Sequence, residues 1–211
     1  MEIIIYVVIV VGVILISMTL HEAMHAFTSY WLGDDTAKLQ GRLTLNPVKH
    51  IDPFLTILLP LVLAVLGGPI FGGARPVPFN PDRVKWDDWG AALIAIAGPL
   101  TNLVLAFIGF GVWVLFGAPG SEVLFGQIMI TFFSVNLGFF LFNMLPIPPL
   151  DGSRVIYALA PEFVRTGMRF VEQFGIFFIL ALVLLAGPLI YGYIQGGGEL
   201  FINLFTSIFR L

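Results

Sequence analysis

Residues 21 to 25 read His-Glu-Ala-Met-His, a spacing that can hold a metal ion on a helix. Because residues four apart lie on one face of an α-helix, His21 and His25 can direct imidazole nitrogens at a single Zn²⁺. Glu22 stands beside them, where a carboxylate can serve as general base toward a water molecule. The pattern therefore predicts a hydrolytic zinc site and supplies two of its protein ligands.

The third ligand has to be a histidine or a carboxylate, because the chain contains no cysteine. Asp151 is the candidate carboxylate. It follows the uncharged stretch 123–150 and is preceded by three prolines. Those prolines forbid a regular helix, so irregular backbone can turn the Asp151 carboxylate toward the two histidines. An ordinary alternative is that Asp151 caps a helix beginning near Ser153.

The composition places this site in a membrane. Of 211 residues, 58% are hydrophobic and 11% are charged, and the mean hydropathy is +0.98, outside the range of soluble domains. The net charge of −3 gives no support for a nucleic-acid partner. We therefore predict an all-α polytopic membrane protein, embedded in the lipid bilayer, with about 4 to 6 membrane segments of roughly 20 residues each.

Four of these segments are predicted to cross the membrane, at residues 2–31, 89–116, 123–144 and 174–194. The apolar stretch 54–71 contains helix breakers and is predicted to enter the membrane and return. Period-two alternation over residues 36–45 favours a short membrane-associated β-strand or hairpin after the first helix. The glycine triplet 196–198 is predicted to loosen the chain before a short helical tail, 200–211.

The whole chain, 1–211, is interpreted as a single domain. Its catalytic core is expected to cover residues 1–160, and C-terminal membrane helices are expected over residues 170–211.

Basic residues indicate the orientation. They cluster in three connections and are absent from the turns 117–122 and 195–199; the clustered residues are Lys38, Arg42, Lys49, Arg75, Arg83, Lys85, Arg154, Arg165 and Arg169. Because Lys and Arg concentrate on the cytosolic side of membranes, the three connections are predicted to be cytosolic, which requires that 54–71 does not cross once. His21, late in an outside-to-inside helix, then lies toward the cytosolic face.

The sequence resembles the site-2 proteases, which are intramembrane zinc metallopeptidases. The resemblance rests on HEAMH at 21–25 and on NMLPIPPLDG at 143–152, which is similar to the second motif of that family. It implies that one Zn²⁺ per chain is bound by His21, His25 and Asp151. Glu22 is implied as the catalytic base, and Asn143 as a residue that positions substrate or stabilises the oxyanion.

AGPLTN at 97–102 and GRLTLNP at 41–47 also resemble the family pattern, which makes Asn102 a candidate accessory residue. Asn102 fits an interhelical packing bond equally well. The chain has no room for an inserted PDZ or a fused CBS domain, so it resembles a minimal prokaryotic core in the cell membrane. The resemblance implies cleavage of the spanning segment of a single-pass membrane protein, which must unwind first. The predicted strand could hold that segment by strand addition or could only cover the site.

Two other functions use the same ligands. In a membrane metal transporter, His21, His25 and Asp151 would form a transport site that needs no general base. Replacement of Glu22 by Gln would then leave transport intact, whereas it would impair a protease. A catalytically silent scaffold would also retain the ligands. His50 is interpreted as a surface or interfacial histidine rather than a fourth ligand.

Overall fold

The computed structural model describes residues 2–58 and 74–210, and this part of the chain is helical. Its seven α-helices are α1 (Glu2–Trp31), α2 (Thr36–Leu39), α3 (Asp87–Leu115), α4 (Leu124–Asn143), α5 (Gly152–Leu159), α6 (Glu162–Glu172) and α7 (Gly175–Phe209). Short helical turns at Pro47–Lys49, Pro53–Leu58 and Pro81–Arg83 lie in the long connection between α2 and α3.

Four of the described helices, α1, α3, α4 and α7, are long and apolar enough to cross a membrane. This confirms the predicted helical fold class, and these four helices correspond to the four segments that were predicted to cross. The bounds of α1, α3 and α4 agree with the predicted segments to within two residues. A helix satisfies its own backbone N–H and C=O groups, which is the condition for crossing hydrocarbon.

The last helix differs from its prediction, because α7 continues through the glycine triplet 196–198. Gly197 packs directly on α4, where a Cβ would lie 2.8 Å from Cδ2 of Leu141. Glycine therefore permits close helix packing here and does not end the helix, although each glycine costs about 1 kcal/mol of helix propensity relative to alanine. With 35 residues, α7 is about 52 Å long, more than the hydrocarbon core of a bilayer requires.

An aromatic core holds α3, α4 and the second half of α7 together. The ring centroid of Phe110 lies 5.3 Å from that of Phe133 and 5.6 Å from that of Phe205. Gly111 lets α7 approach α3 closely, since a Cβ there would lie 2.7 Å from Cζ of Phe209. Such ring pairs add about 0.5–1.5 kcal/mol each beyond burial. The core fixes α3 against α4, and both helices contribute to the candidate site.

The strand or hairpin predicted for residues 36–45 is wrong, and no strand occurs in residues 2–58 and 74–210. Asp34 Oδ1 accepts hydrogen bonds from Thr36 N at 3.0 Å and from Thr36 Oγ1 at 2.5 Å. This side-chain turn directs the chain into α2, and Gly41 then reverses it with a φ of +67°. The segment 36–45 therefore has no strand edge to which a substrate chain could be added.

Arg42 lies in the segment that was predicted to be a strand, and its side chain bonds to backbone carbonyls of the loops. Its guanidinium turns inward, is only 4% exposed, and donates hydrogen bonds to the backbone carbonyls of Lys49, Arg75 and Pro76. One side chain thus joins the loop after α2 to the non-helical segment 74–80. The re-entrant element predicted for 54–71 lies mostly outside the described residues, so it stays a prediction.

Asp34 joins the end of α1 to the connection that precedes α3. Its buried carboxylate also accepts hydrogen bonds from Ser29 Oγ at 3.0 Å and from Asn80 N at 2.8 Å. Burial alone would raise the pKa of Asp34, but the hydrogen bonds from Thr36, Asn80 and Ser29 hold that pKa below its ordinary value. The ionised carboxylate is therefore part of the folded state.

Replacement of Asp34 by asparagine should lower the free energy of unfolding by about 2 kcal/mol, because an amide NH₂ would face hydrogen-bond donors. A lowered folded-state pKa stabilises the protein above the unfolded pKa of about 3.9, so the difference should shrink as the pH falls below about 4. Denaturant unfolding in detergent micelles at several pH values measures it.

Asp35→Asn is the matched control. Asp35 is 46% exposed and pairs with Arg83 at 2.7 Å, so its replacement should change the unfolding free energy by less than about 1 kcal/mol. Equal effects of the two substitutions would contradict the role given to Asp34.

Candidate metal centre

The three predicted ligands converge at one point. Nε2 of His21 and Nε2 of His25 lie 2.9 Å apart. Oδ2 of Asp151 lies 3.1 Å from Nε2 of His21 and 3.5 Å from Nε2 of His25. Both histidines are buried, at 5% and 8% exposure. Their spacing on α1 and the turn of the chain before α5 bring the three side chains together, as the sequence predicts.

This donor set fits a divalent metal ion. A tetrahedral ion with bonds of ≈ 2.0–2.1 Å separates its ligand atoms by about 3.4 Å, close to the three observed separations. Two imidazole nitrogens and a carboxylate oxygen that point at one another also need a cation or proton between them. Among the described residues, this is the group of His, Cys, Asp and Glu side chains that could hold a metal ion.

Asp151 serves the cluster and does not cap a helix. It stands directly before α5, yet its side chain makes no capping hydrogen bond, so the capping alternative is wrong. Instead, Oδ2 of Asp151 faces the Nε2 atoms of both histidines. Gly152 packs against the Met144 backbone carbonyl, with which a Cβ would collide.

One face of α3 orients both imidazoles. Nδ1 of His25 donates to the carbonyl of Ile94 at 2.7 Å, and Nδ1 of His21 donates to Oδ1 of Asn102 at 2.6 Å. Because each Nδ1 is matched with an acceptor, the proton belongs there and the Nε2 lone pair is available to a metal. Asn102 is thus placed against His21, one of the three proposed ligands.

Asn102 belongs to a buried chain of hydrogen bonds that sequence reasoning missed. Its Nδ2 donates to Oδ1 of Asn136 at 2.9 Å, and Nδ2 of Asn136 donates to Oγ of Ser17 at 2.8 Å. All three side chains are fully buried. A signal was present, since an amide in the middle of a spanning helix is costly unless it is bonded. The chain of bonds ties α1, α3 and α4 together behind His21.

Gly98 lies between Ile94 and Asn102 on the same face of α3. A Cβ at this position would lie 2.5 Å from Nε2 of His25 and 2.6 Å from Nε2 of His21. No side chain fits there without displacing the imidazoles, so the glycine of the AGPLTN motif makes room for the metal centre.

Glu22 is buried beside the ligands but does not belong to the ligand group. Its Oε2 accepts a hydrogen bond from Val77 N at 3.0 Å. Val77 lies in the non-helical segment 74–80, which Arg42 holds through the carbonyls of Arg75 and Pro76. The connection between α2 and α3 therefore fixes one oxygen of the Glu22 carboxylate.

Asn143 and His50, two other residues considered from the sequence, do not belong to the ligand group. Asn143, the last residue of α4, lines the cavity at the site, but its Nδ2 donates to the carbonyl of Phe139 at 3.0 Å. His50 is buried at 2% exposure and its Nε2 donates to the carbonyl of Thr44 at 2.8 Å. The surface or interfacial interpretation of His50 is therefore wrong, and His50 lies outside the ligand group.

A cavity of about 1200 Å³ opens onto the three ligands and Glu22. Residues of α1, α4 and α7 line it, together with the segment that carries Val77. The metal centre is thus accessible from a space between apolar helices.

Replacement of Gly98 by alanine should abolish stoichiometric binding of a divalent metal, because the added methyl group collides with both Nε2 atoms. Metal content of the purified protein, measured by mass spectrometry, checks this. The control is Gly12→Ala on α1, where a Cβ meets nothing within 4 Å. A Gly98→Ala protein that retains the full metal content would exclude this account of the site.

Comparison with known proteins gives several relatives. The chain is 46% identical over 207 residues to "Putative zinc metalloprotease YwhC" of Bacillus subtilis, which covers 93% of this chain and 90% of that protein. It is 34% identical over 185 residues to "Putative zinc metalloprotease Rip2" of Mycobacterium tuberculosis, covering 86% and 68%. It is 40% identical over 100 residues to "Putative zinc metalloprotease MJ0611" of Methanocaldococcus jannaschii, covering 47% and 50%.

No protein-family model matches the chain, and no solved structure matches it significantly.

Proposed function

Because the chain belongs to the site-2 protease family of zinc metalloproteases, we propose that this membrane protein is an endopeptidase that cleaves membrane-spanning segments of other proteins. The observation that carries the proposal is the convergence of His21, His25 and Asp151 beside Glu22 at the end of an apolar spanning helix. The proposed substrate is a single-pass membrane protein, whose spanning segment reaches the site through the cavity.

His21, His25 and Asp151 would hold one Zn²⁺, the metal in the names of the relatives. Zn²⁺ bound by three protein ligands lowers the pKa of a water molecule to ≈ 7 and polarises a carbonyl group. The protein supplies the geometry for this chemistry. Asn102 and the Ile94 carbonyl fix the two imidazoles, and Gly98 leaves the space that the ligands enclose.

Glu22 is the proposed general base. It would take a proton from the attacking water and then transfer it to the leaving nitrogen of the cleaved peptide bond. The hydrogen bond from Val77 N holds Oε2, which leaves Oε1 to exchange the proton. A general base in this position typically contributes a rate factor of about 10²–10⁴.

Asn143 is the proposed donor to the oxyanion. Its amide now bonds to the Phe139 carbonyl in the last turn of α4, where a rotation of the side chain would release it toward the cavity. Such a donor typically contributes a factor of about 10²–10³ in turnover. The substrate helix has to unwind locally, because intrahelical hydrogen bonds otherwise shield its carbonyl groups.

The chain is proposed to act as one domain. Every proposed site residue lies within residues 1–160, and the aromatic core joins α7 to the α3–α4 pair. The Asp88–Arg165 ion pair, at 2.7 Å, also connects the start of α3 to α6.

The site is proposed to face the cytosol of a prokaryotic cell, since the three basic connections should be cytosolic and the named relatives come from bacteria and an archaeon. Single cysteines test the orientation, because the chain has none of its own. An impermeant maleimide should label Ser121→Cys, in the α3–α4 turn, on intact cells. It should label Lys85→Cys, before α3, only after permeabilisation. The reverse pattern would overturn this topology.

Glu22→Gln tests the mechanism. The variant should retain zinc, because Glu22 is not a ligand, but should cleave a single-pass reporter about 10²–10⁴-fold more slowly than the wild type. Zinc content and reporter cleavage in detergent measure the two effects. The control is Glu122→Gln, at an exposed position in the α3–α4 turn, which should change neither.

Other results favour the alternatives. A metal transporter would carry zinc across liposome membranes and would do so equally well with Gln at position 22. A catalytically silent scaffold would bind zinc without cleavage by the wild type. Absence of zinc from the wild type, or equal cleavage by Glu22→Gln, would exclude the proposed mechanism.

A further inference from the structure

The cavity at the metal centre continues as a groove along α1 and α4, with the first half of α7 as its third wall. The two helices run in the same direction, and the bond between Ser17 and Asn136 fixes their register. Groove residues on α1 extend from Tyr6 to His25, an axial length of about 28 Å. That length is close to the ≈ 30 Å of a bilayer hydrocarbon core. The groove therefore follows α1 and α4 through the depth that a spanning segment of a substrate would occupy.

A stripe of polar side chains, Gln127, Thr131 and Ser134, lines this groove on one face of α4. Gln127 and Thr131 are half-buried and Ser134 is exposed. Their side chains have no hydrogen-bond partner among residues 2–58 and 74–210. Thr19 and Thr101, on other spanning helices, bond instead to the backbone carbonyl four residues earlier, at 2.6 and 2.8 Å.

Polar side chains at membrane depth are costly without a partner, and they commonly bond across helices. A lipid acyl tail provides neither donors nor acceptors, so it leaves the stripe unsatisfied. A spanning helix with Ser, Thr, Asn or Gln side chains satisfies it. Beyond Ser134, Gly138 continues the same face toward the metal centre and presents no Cβ to an entering chain.

We propose that the stripe of Gln127, Thr131 and Ser134 selects the substrate by binding a hydrogen-bonding side chain on its spanning helix. The stripe lies 9 to 16 residues before Asn143 on α4. For a substrate helix alongside α4, the polar residue therefore lies about 9 to 16 residues from the cleaved bond, on the side away from the cytosol. This inference rests on the proposed function, because the offset is counted from Asn143, the proposed oxyanion donor.

The test compares two single-pass reporters with the same cleavage region. One carries a single Asn about 12 residues from the cleaved bond, and the other carries Leu at that position. Wild-type protein in liposomes should cleave the Asn reporter with a kcat/KM about threefold higher, the typical effect of one interhelical hydrogen bond. In Thr131→Val the ratio should fall to about 1. The matched control Thr206→Val, on α7 outside the groove, should keep the wild-type ratio.

Equal cleavage of both reporters by the wild type overturns the inference and leaves the proposed function intact. An unchanged ratio in Thr131→Val overturns the assignment to this stripe. A loss of cleavage of both reporters by the same factor in Thr131→Val indicates that the stripe supplies water or supports folding, and this result also overturns the inference.

A second measurement does not depend on cleavage. In the Glu22→Gln background, Thr131→Cys should form a disulfide with a cysteine placed next to the reporter Asn, and Thr206→Cys should not. The chain has no other cysteine, so the cross-link reports this contact alone. If the wild type cleaves neither reporter, the proposed function fails, and this cross-link decides the inference: its absence overturns substrate binding at the stripe.

Discussion

Hydrocarbon offers no hydrogen bonds, and this constraint governs the interior of the protein. A histidine in a spanning helix must direct both ring nitrogens at partners, and His21 does so with Asn102 on one side and with Asp151 and His25 on the other. The NH₂ group of Asn102 then needs an acceptor, which Oδ1 of Asn136 provides. The NH₂ group of Asn136 in turn donates to Oγ of Ser17. The chain of hydrogen bonds ends at a hydroxyl on the helix where it began.

Helix α3 holds the two histidines in position, although it provides none of the proposed ligands. Three positions spaced by four residues on one face meet the two histidines: a carbonyl at Ile94, an empty space at Gly98 and an amide at Asn102. Such partners behind the ligands commonly determine ring orientation and metal affinity as strongly as the ligands themselves. The aromatic core with α4 and α7 keeps this face in place.

The site could be predicted where residue type and spacing carry the chemistry. HEAMH places two imidazoles on one helical face, and an aspartate after three prolines in an otherwise uncharged stretch has few other purposes. Asn136 could not be found in the same way, because its role depends on the packing of three helices. The strand was predicted wrongly because alternation over residues 36–45 does not reveal that Asp34 begins a turn or that Arg42 occupies the nearby carbonyls. The glycine triplet was misread because Gly197 meets Leu141, a contact distant in sequence.

The buried hydrogen bonds join three helices that enter the membrane one after another during synthesis. During synthesis α1 enters the membrane before α3 and α4, with His21, His25 and Glu22 and without the groups that later surround them. Asn102 and Gly98 come with α3, Asn136 with α4, and Asp151 only after α4 has been inserted. A chain interrupted before that point holds two histidines and no carboxylate to complete the set. The three proposed ligands therefore come together only after α1, α3 and α4 have been inserted, and α7 closes the cavity later.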